Sequence, residues 1–242
     1  MIKICEYAGH IRNWRELCKE LEISTELTRE EREKEIISKG YLKWGYDIPN
    51  HLYGMFAFAI CDSERDEIYC VRDHFGTKPF YYYQTEDDKF LYGTLIRDIL
   101  KSEDFVKVLN EDMLQLYMTF TYVAGENTFF KGLKKLMPGH WLTWKNGKVK
   151  INRYWSPKFN SDNSKTLNDW SNEIHNTLEN IMQEVKDNGE TAESFLSGGV
   201  DSSYVLAMSD AEVTNSCGYD DERFDESGLA RQTADILGKK NN

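Results

Sequence analysis

The amino-acid sequence predicts an α+β domain followed by the opening part of an α/β domain with a parallel sheet. Short apolar segments separated by polar turns dominate the first two thirds of the chain, which is the pattern of antiparallel strands. Farther along, helical and strand patterns alternate, and that alternation is typical of a parallel sheet covered by helices. A polar stretch at 156–165 separates the two patterns, so we predict domains over 1–157 and 166–242.

Helical signals precede the strands of the first domain. Trp14, Leu17 and Leu21 recur at helical spacing and share one face. Thr28, with a glutamate three residues later, forms a capping-box pattern that predicts the start of a helix ending at Gly45. We therefore expect the first domain to open with two helices.

The strands of the first domain follow as apolar segments with polar turns between them. We predict strands at 53–61, 68–73, 80–84, 90–95, 141–144 and 148–154. Asn146-Gly147 separates the last two, and this dipeptide is the strongest short signal of a tight hairpin. Strands joined by such turns are antiparallel, as the α+β class requires.

The second domain is predicted to begin with a long amphipathic helix. Its apolar residues form one stripe at helical spacing: Trp170, Ile174, Leu178, Ile181, Met182 and Val185. Strands at 192–196 and 213–218 then alternate with helices at 201–208 and from Asp225 to Gly238. Two strands are fewer than the five or six of a doubly wound sheet, so we expect an unfinished α/β unit.

Composition and charge narrow the class of function. Acidic residues outnumber basic ones by 41 to 30, and a net charge of -11 argues against a nucleic-acid or anionic-membrane surface. No apolar stretch approaches the roughly 18 residues of a membrane helix. The cysteines are scattered without a Cys-x-x-Cys pair, which predicts neither a disulfide scaffold nor a zinc cluster and favours a cytoplasmic location. They are Cys5, Cys18, Cys61, Cys70 and Cys217.

One segment carries a chemical signal, and it reads Leu196-Ser197-Gly198-Gly199-Val200-Asp201-Ser202-Ser203. It lies where a predicted strand passes into a helix, which in an open α/β sheet is where ligands bind. Glycines let the backbone N–H groups approach an anion, and serine hydroxyls can reach phosphate oxygens. Asp201 either caps the helix or helps to hold Mg²⁺. The full pattern predicts phosphate binding, against the plainer interpretation of a glycine turn capped by Asp201 or Ser202.

The same segment resembles the pyrophosphate-binding loop of ATP pyrophosphatases, and its surroundings narrow the resemblance to glutamine-hydrolysing asparagine synthetases. Leu52–Ile60 (LYGMFAFAI) is similar to a core strand of that family, and Arg72–Tyr82 (RDHFGTKPFYY) to its RDxFGxKPLYY signature. Pro138-Gly139-His140 and Tyr154-Trp155 match the elements that close its first domain. The order and spacing of these motifs agree from Tyr7 to Gly238.

The resemblance implies a fold, ligands and a reaction. The first domain would be an Ntn-type class II glutamine amidotransferase domain, an incomplete αββα sandwich, joined to the start of an ATP-pyrophosphatase (PP-loop) domain with a parallel sheet. ATP and Mg²⁺ would drive adenylation of aspartate, and ammonia, free or from glutamine, would displace AMP to give asparagine. A homodimer or a complementing fragment is the implied partner. The implied ATP contacts are Leu196, Ser197, Gly198, Gly199, Asp201, Ser202 and Cys217, with Asp201 also the contact to Mg²⁺.

The sequence departs from this family at the glutaminase site. Family members use an N-terminal cysteine nucleophile, whereas the chain begins Met1-Ile2, and Cys5 has no free amine beside it. The family's Asn-Gly-Glu segment appears as Ala8-Gly9-His10, so Gly9 alone remains of that glutamine-binding set. Its Ser-Asp-Thr-Glu segment is replaced by Glu33-Lys34-Glu35, with a longer carboxylate where the family's substrate-holding aspartate would stand. We therefore predict no catalytic residue and expect a fragment, truncated at both ends, that is inactive alone.

Two other interpretations stay open. An amide- or lactam-forming ligase of the same family would apply the adenylation chemistry to another acceptor. A non-catalytic nucleotide- or partner-binding module would instead dock with a complementary polypeptide, which could add a strand to an open sheet edge.

The Arg72–Tyr82 signature also has a purely structural interpretation. Arg72 would pair with Asp73 or a nearby carboxylate, Gly76 would supply a turn, and Pro79 would lead into the next strand. We therefore predict that this signature supports the fold.

Overall fold

The computed structural model describes residues 1–189, 193–221, 223 and 225–242. The chain divides into two compact units, 1–158 and 159–242. Within the described residues, no helix has the length and apolar character needed to cross a membrane.

The first unit contains four helices, one 3-10 helix and eight strands within its described residues. In chain order they are β1 (Ile2–Ile11), α1 (Trp14–Glu20), α2 (Arg29–Trp44), the 3-10 helix (Gly45–Asn50), β2 (Gly54–Asp62), β3 (Glu67–Arg72), β4 (Tyr81–Gln84), β5 (Phe90–Gly93), α3 (Ile96–Leu100), α4 (Glu111–Phe120), β6 (Lys134–Lys135), β7 (His140–Lys145) and β8 (Lys148–Arg153).

The larger sheet has the strand order β1-β2-β3-β7-β8, and every neighbouring pair is antiparallel. Side chains of a strand alternate between faces, and β2 buries both of its faces. Phe56, Phe58 and Ile60 pack with α1 and α2 on one face. Ala57 and Ala59 pack on the other face, against the second sheet. The small alanine side chains allow that second layer to approach closely.

The smaller sheet has the order β5-β4-β6 and is also antiparallel. Its outer face carries a separate cluster in which Ile99 of α3 packs with Phe105 and Leu133. Tyr81 and Leu91 of the sheet pack against this cluster. The layers of the first unit therefore run helix, sheet, sheet, helix, which is an αββα sandwich.

Local sequence signals set the boundaries of several elements. The Thr28 hydroxyl accepts the Glu31 backbone N–H, and the Glu31 carboxylate accepts the Thr28 N–H, which confirms the predicted capping box of α2. The helix gives way at Gly45, whose φ is +59°. Asn146 and Gly147 have φ values of 50° and 69°, the left-handed geometry of a type I′ turn, so the predicted β7–β8 hairpin is confirmed.

The start of the chain differs from the prediction. The expectation that helices open the domain is wrong, because the ten-residue strand β1 precedes α1. The register of β1 on β2 shifts between Ile4 and Glu6, so Cys5 occupies a β-bulge that breaks the alternation of side chains. The cysteine spacing predicted no disulfide, and the structure corrects this, since Cys5 is bonded to Cys61. Pairing of β1 with β2 brings together two residues that are 56 apart in sequence.

The second unit is a small three-stranded parallel sheet with helices. Its elements are α5 (Leu167–Asp187), β9 (Ser194–Phe195), α6 (Val200–Met208), β10 (Val213–Asn215), α7 (Ser227–Ile236) and β11 (Lys240–Asn241). The strand order is β11-β10-β9. The expected two strands are therefore corrected to three, because Lys240–Asn241 pairs with β10 although it is polar. Of the strand predicted at 192–196, Ala192 lies outside the described residues.

The core of the second unit is small. Among the described residues of this unit, its buried apolar side chains are Leu196, Leu206, Ala230 and Ala234. The amphipathic helix predicted over this region is confirmed as α5, but none of its residues, all of which are described, is buried. Trp170 and Ile174 of the predicted stripe remain 37% and 57% exposed. The pattern thus predicted the helix correctly without predicting how its apolar face is covered.

Candidate functional site

The predicted phosphate loop connects β9 to α6. Gly198 in this loop has a φ of +81°, a conformation that residues with a side chain rarely adopt. A Cβ at this position would lie 2.9 Å from the Cβ of Leu229 and 3.1 Å from the backbone N of Ala230. Both neighbours belong to α7, so the loop backbone packs directly on that helix. Only glycine fits here.

The helix that follows the loop starts without a side-chain cap. Gly199 is the N-cap residue of α6, and Asp201 lies in the first turn, so the option that Asp201 caps the helix is wrong. The Ser202 and Ser203 hydroxyls donate to the Gly199 carbonyl at 3.1 and 2.7 Å. The Ser202 oxygen is also 2.9 Å from the Ser197 hydroxyl oxygen. These contacts hold the hydroxyls beside the first backbone N–H groups of α6, which form the positive end of the helix dipole.

The loop forms one wall of a cleft of about 300 Å³. The cleft is lined by Phe195, Leu196, Ser197, Asn215, Ser216, Cys217, Tyr219, Glu226, Ser227 and Ala230. It contains three of the predicted nucleotide contacts, Leu196, Ser197 and Cys217, while the other four lie in the adjoining loop and the first turn of α6. The cleft opens beyond the carboxyl ends of β9 and β10, the position at which parallel α/β sheets bind ligands.

Several residues of this cleft were missed by the sequence interpretation. Asn215 is the last residue of β10, so the rule on strand ends could have identified it. Tyr219, Glu226 and Ser227 come from the segment before α7 and the start of that helix, and they carried no comparable signal. Their position depends on the packing of α7 against the loop.

The cleft is polar but carries little charge. Glu226 is the one charged residue among the described residues that line it. Asp201 is exposed in the neighbouring first turn of α6. No group of three or more His, Cys, Asp or Glu residues within the described part of the chain is placed to hold a metal ion. Mg²⁺ that is bound to a nucleotide takes most of its ligands from phosphate and water and needs only one or two protein carboxylates. Asp201 could therefore contact the Mg²⁺ of a Mg–nucleotide, but it could not hold a bare cation by itself.

The predicted remnant of the glutamine pocket lies in the first unit, on β1 and α2. Glu33 is 1% exposed and its carboxylate accepts the Ile11 N–H at 2.9 Å and the Tyr7 hydroxyl at 2.7 Å. The same carboxylate lies 2.9 Å from His10 Nδ1. Burial, reinforced by the Glu33 carboxylate, raises the pKa of Tyr7, which keeps its hydroxyl a donor. The side chain in place of the family's aspartate is thus engaged by the protein itself.

Gly9, the glycine that remains of the Asn-Gly-Glu segment, has a packing role. A Cβ on Gly9 would lie 2.3 Å from the Met55 carbonyl oxygen and 2.9 Å from the Phe56 Cα. Its carbonyl accepts a hydrogen bond of 3.1 Å from Arg29 of α2. Close approach of β1 to β2 therefore accounts for glycine at this position without any ligand.

The first two residues of the Arg72–Tyr82 signature form side-chain hydrogen bonds to backbone groups. The Asp73 carboxylate accepts N–H groups of Phe75, Thr77 and Lys78 at 3.1, 3.0 and 2.9 Å. The predicted pairing of Arg72 with a carboxylate is wrong, because its guanidinium donates to three carbonyl oxygens. They belong to Gly76, Lys78 and Leu136, at 2.8, 2.9 and 2.7 Å. A guanidinium has five N–H donors in one plane, so it can donate to several carbonyl oxygens as readily as to a carboxylate.

This junction extends to the elements that close the first unit. The Gly139 N–H donates to the Asp73 carbonyl at 2.9 Å, and the Tyr154 hydroxyl donates to the Arg72 carbonyl at 2.8 Å. Gly139 in turn accepts the backbone N–H groups of Tyr154 and Trp155. We call these contacts of residues 72–78, 136–139 and 154–155 the backbone junction.

Comparison with known proteins identifies the class of protein to which each part of the chain is similar. The sequence pattern of the family described as glutamine amidotransferase domain matches residues 3–155, and that of asparagine synthase matches residues 173–242. The αββα first unit is accordingly an Ntn-type glutaminase fold, and an α/β unit with a parallel sheet follows it. The chain belongs to the asparagine synthetase family.

Curated relatives agree with this assignment. The chain is 30% identical over 207 residues to asparagine synthetase (glutamine-hydrolysing) 3 of Bacillus subtilis, covering 84% of this chain and 33% of that protein. It is 28% identical over 243 residues to asparagine synthetase 1 of the same organism, covering 97% and 38%. The chain thus spans little more than a third of the length of these relatives. A solved glutamine phosphoribosylpyrophosphate amidotransferase from B. subtilis aligns with all of this chain and 45% of its own, at 15% identity, and its TM-score of 0.39 is too low to show a shared fold.

Proposed function

We propose that the chain carries the nucleotide-binding part of an asparagine synthase reaction. In that reaction the aspartate side chain attacks ATP to form an adenylate with release of pyrophosphate, and ammonia then displaces AMP to give asparagine. The family membership and the names of the relatives support this chemistry. The observation that carries the proposal is the glycine loop, in which Gly198 packs on α7 and Ser197 lines the cleft beyond β9 and β10.

The loop suits the pyrophosphate end of a nucleotide. Backbone N–H groups at the start of α6 and the hydroxyls of Ser197 and Ser202 would contact phosphate oxygens. Asp201 would contact the Mg²⁺ that accompanies them. Cys217, at the far side of the same cleft, would lie against the adenine ring, as the family resemblance implies. The role of the chain's own residues is thus to hold the nucleotide and stabilise charge on the departing phosphates.

We propose binding without turnover for the chain by itself. Aspartate carries two carboxylates, and its recognition calls for cations near the reacting phosphate. The described residues that line the cleft include no cation, and the one charged side chain among them is the acidic Glu226. A cytoplasmic location and assembly with a second copy or a complementing fragment belong to the same proposal.

We further propose that the first unit does not hold free glutamine. Four protein groups already contact the Glu33 carboxylate, namely the Ile11 N–H, the Tyr7 hydroxyl, the His10 ring and the Arg29 guanidinium. A substrate ammonium would have to displace these buried contacts, and the exchange would leave their polar groups unpaired. Ammonia is therefore the proposed nitrogen source.

Thermal unfolding with and without Mg-ATP tests the nucleotide proposal. A ligand that binds only the folded state at 100 times its Kd stabilises it by about 2.7 kcal/mol, which corresponds to a midpoint shift of roughly 11–22 °C for so small a unit. We expect that shift in the second unit, and a similar shift with inorganic pyrophosphate. Asp201→Asn should reduce the shift with Mg-ATP, whereas the matched control Asp235→Asn, exposed on α7, should not.

Two results would count against the proposal. An unchanged midpoint at millimolar Mg-ATP would mean that the loop is not a nucleotide site. Release of pyrophosphate on addition of aspartate and ammonia would contradict binding without turnover while leaving the nucleotide site intact.

A further inference from the structure

The disulfide between Cys5 and Cys61 lies at a weak point of the larger sheet. β1 is an edge strand, so β2 is its one neighbour in the sheet order. The β-bulge at Cys5 divides the pairing of β1 into an outer part, Ile2–Ile4, and an inner part, Glu6–Ile11. Three residues of ladder give little independent stability. Exposed contacts of Met1 with Ser63 and Glu64 add to them, and the disulfide is the covalent link between the outer part and β2.

The outer part nevertheless contributes to the core when it is held in place. Ile2 and Ile4 are partly buried against the main core cluster. The Met1 carbonyl accepts the Ser63 N–H at 3.1 Å, which continues the pairing past the strand. Release of this segment would therefore expose both isoleucines and the edge of β2 near Cys61.

The surroundings of the two sulfur atoms suit thiol–disulfide exchange. Cys5 and Cys61 are both partly exposed, so a small thiol can reach them. The Tyr92 hydroxyl oxygen lies 3.4 Å from the Cys61 sulfur. Burial raises the pKa of Tyr92 to about 12, so the phenol keeps its proton and can donate to a Cys61 thiolate. A stabilised thiolate is the better leaving group when a thiol attacks the Cys5 sulfur.

The other cysteines lack these features. Cys18 and Cys70 are buried, and burial raises the pKa of the Cys70 thiol well above its usual range. Cys217 is exposed but belongs to the second unit. Reversible pairing is thus confined to Cys5 and Cys61 among the described cysteines.

We infer that the Cys5–Cys61 disulfide is a reversible redox clasp that fastens residues 1–4 to β2. Glutathione would open it in two steps: one thiolate attacks the Cys5 sulfur and expels the Cys61 thiolate, which takes up a proton. A second glutathione then releases the mixed disulfide as glutathione disulfide, leaving two protein thiols. Glutathione disulfide would close the clasp by the reverse exchange, so atoms and electrons balance.

The clasp acts on one part of β1. Opening it frees the outer part, whereas the inner part stays paired with β2 through Tyr7–Ile11 and is further bonded to Glu33 and Arg29 of α2. The expected change is therefore local fraying of the N-terminal segment and of its partner residues 60–62.

Amide hydrogen exchange of the full chain in glutathione buffers tests this inference. In reducing buffer we expect the Lys3 amide, which faces β2, to exchange at least about tenfold faster than in oxidising buffer, with the amides of Tyr7–Ile11 unchanged. Maleimide labelling with intact mass should count two more thiols in the reduced state. Cys217→Ser should respond as the unaltered chain does, and Cys5→Ser should exchange fast in both buffers.

Three outcomes would overturn it. The thiol count could stay the same in both buffers, which would show that the bond neither opens nor forms reversibly. The pair could open without any change in exchange, which would show that it fastens nothing. Exchange could instead accelerate equally along all of β1, which would make the bond a general stabiliser of the strand and not a clasp on its outer part.

Discussion

Gly9 is a residue at which a family motif and a packing requirement coincide. The structure places its Cα so close to β2 that a methyl group would meet the Met55 carbonyl oxygen at 2.3 Å. The position is therefore constrained whether or not glutamine binds. A glycine in a binding motif is not by itself a sign of a working site.

Substitution of this residue should destabilise the first unit. We expect Gly9→Ala to lower its free energy of unfolding by about 1–3 kcal/mol, because β1 and β2 must move apart to admit the methyl group. Urea unfolding measures the difference. Gly93→Ala is the matched control in the same unit, since the nearest atom to a Cβ there is the Leu95 carbonyl oxygen at 3.8 Å, an ordinary contact. Equal midpoints for the two variants would contradict the packing argument.

Tyr82 gives a prediction for alkaline pH. Burial raises the pKa of this phenol to about 12, whereas an exposed tyrosine in the unfolded chain ionises near 10. The folded-state pKa is the higher one, so the contribution of Tyr82 is fully present below pH 10 and is lost as the pH rises towards 12. Tyr82→Phe cannot ionise and should lose less stability across that window. Parallel stability curves for the variant and the unaltered chain would show that Tyr82 does not ionise on unfolding.

At the scale of elements, α2 depends on its first turn. The capping box of Thr28 and Glu31 satisfies two backbone N–H groups that would otherwise lack helical partners. We expect Thr28→Ala to cost about 1 kcal/mol of stability, measured by urea unfolding. Thr25→Ala, at an exposed position three residues earlier, should stay within about 0.5 kcal/mol. A Thr28 variant as stable as the Thr25 control would mean that packing alone fixes the start of the helix.

Elements with a strong local signal were predictable from sequence. The capping box fixed α2, the Asn146-Gly147 turn fixed the β7–β8 hairpin, and apolar periodicity fixed α5. β1 and β11 were not predictable in this way. The bulge at Cys5 breaks the alternation in β1, and Lys240–Asn241 is polar and forms a strand only because β10 lies beside it.

The same distinction, between local sequence signals and tertiary packing, separates the candidate sites that were predictable from those that were not. The phosphate loop was predictable because its glycines and serines are consecutive in sequence. The closure of the remnant pocket by Glu33 was not, because it requires β1 and α2 to meet across more than 20 residues of chain. The Cys5–Cys61 bond and the lining residues Tyr219 and Glu226 also arise from tertiary packing, which no local pattern encodes.

At the scale of the whole molecule, the two units differ in the size of their cores. Among the described residues, the core of the second unit has four buried apolar side chains, two of them alanines, whereas the first unit has three separate clusters. Stability follows the apolar area removed from water, so the second unit should be the weaker one.

Unfolding of the chain should therefore occur in two steps. Hydrogen exchange by mass spectrometry in rising urea should show peptides of the second unit opening first, as expected of units with separate cores. Mg-ATP should move that first step to higher urea and leave the second step in place. A single transition shared by all peptides would contradict separate cores, and so would a ligand effect on both steps.

The backbone junction has a consequence for how the chain is made. The Arg72 carbonyl accepts a hydrogen bond from the Tyr154 hydroxyl, and Tyr154 is synthesised 82 residues after Arg72. At the usual 5–20 residues per second of synthesis, that partner follows roughly 4–16 s after Arg72. Throughout this interval the nascent chain exposes apolar strands whose closing segment does not yet exist. The first unit must therefore complete its fold after most of it has been translated, and chaperones that bind exposed apolar strands would meet it during those seconds.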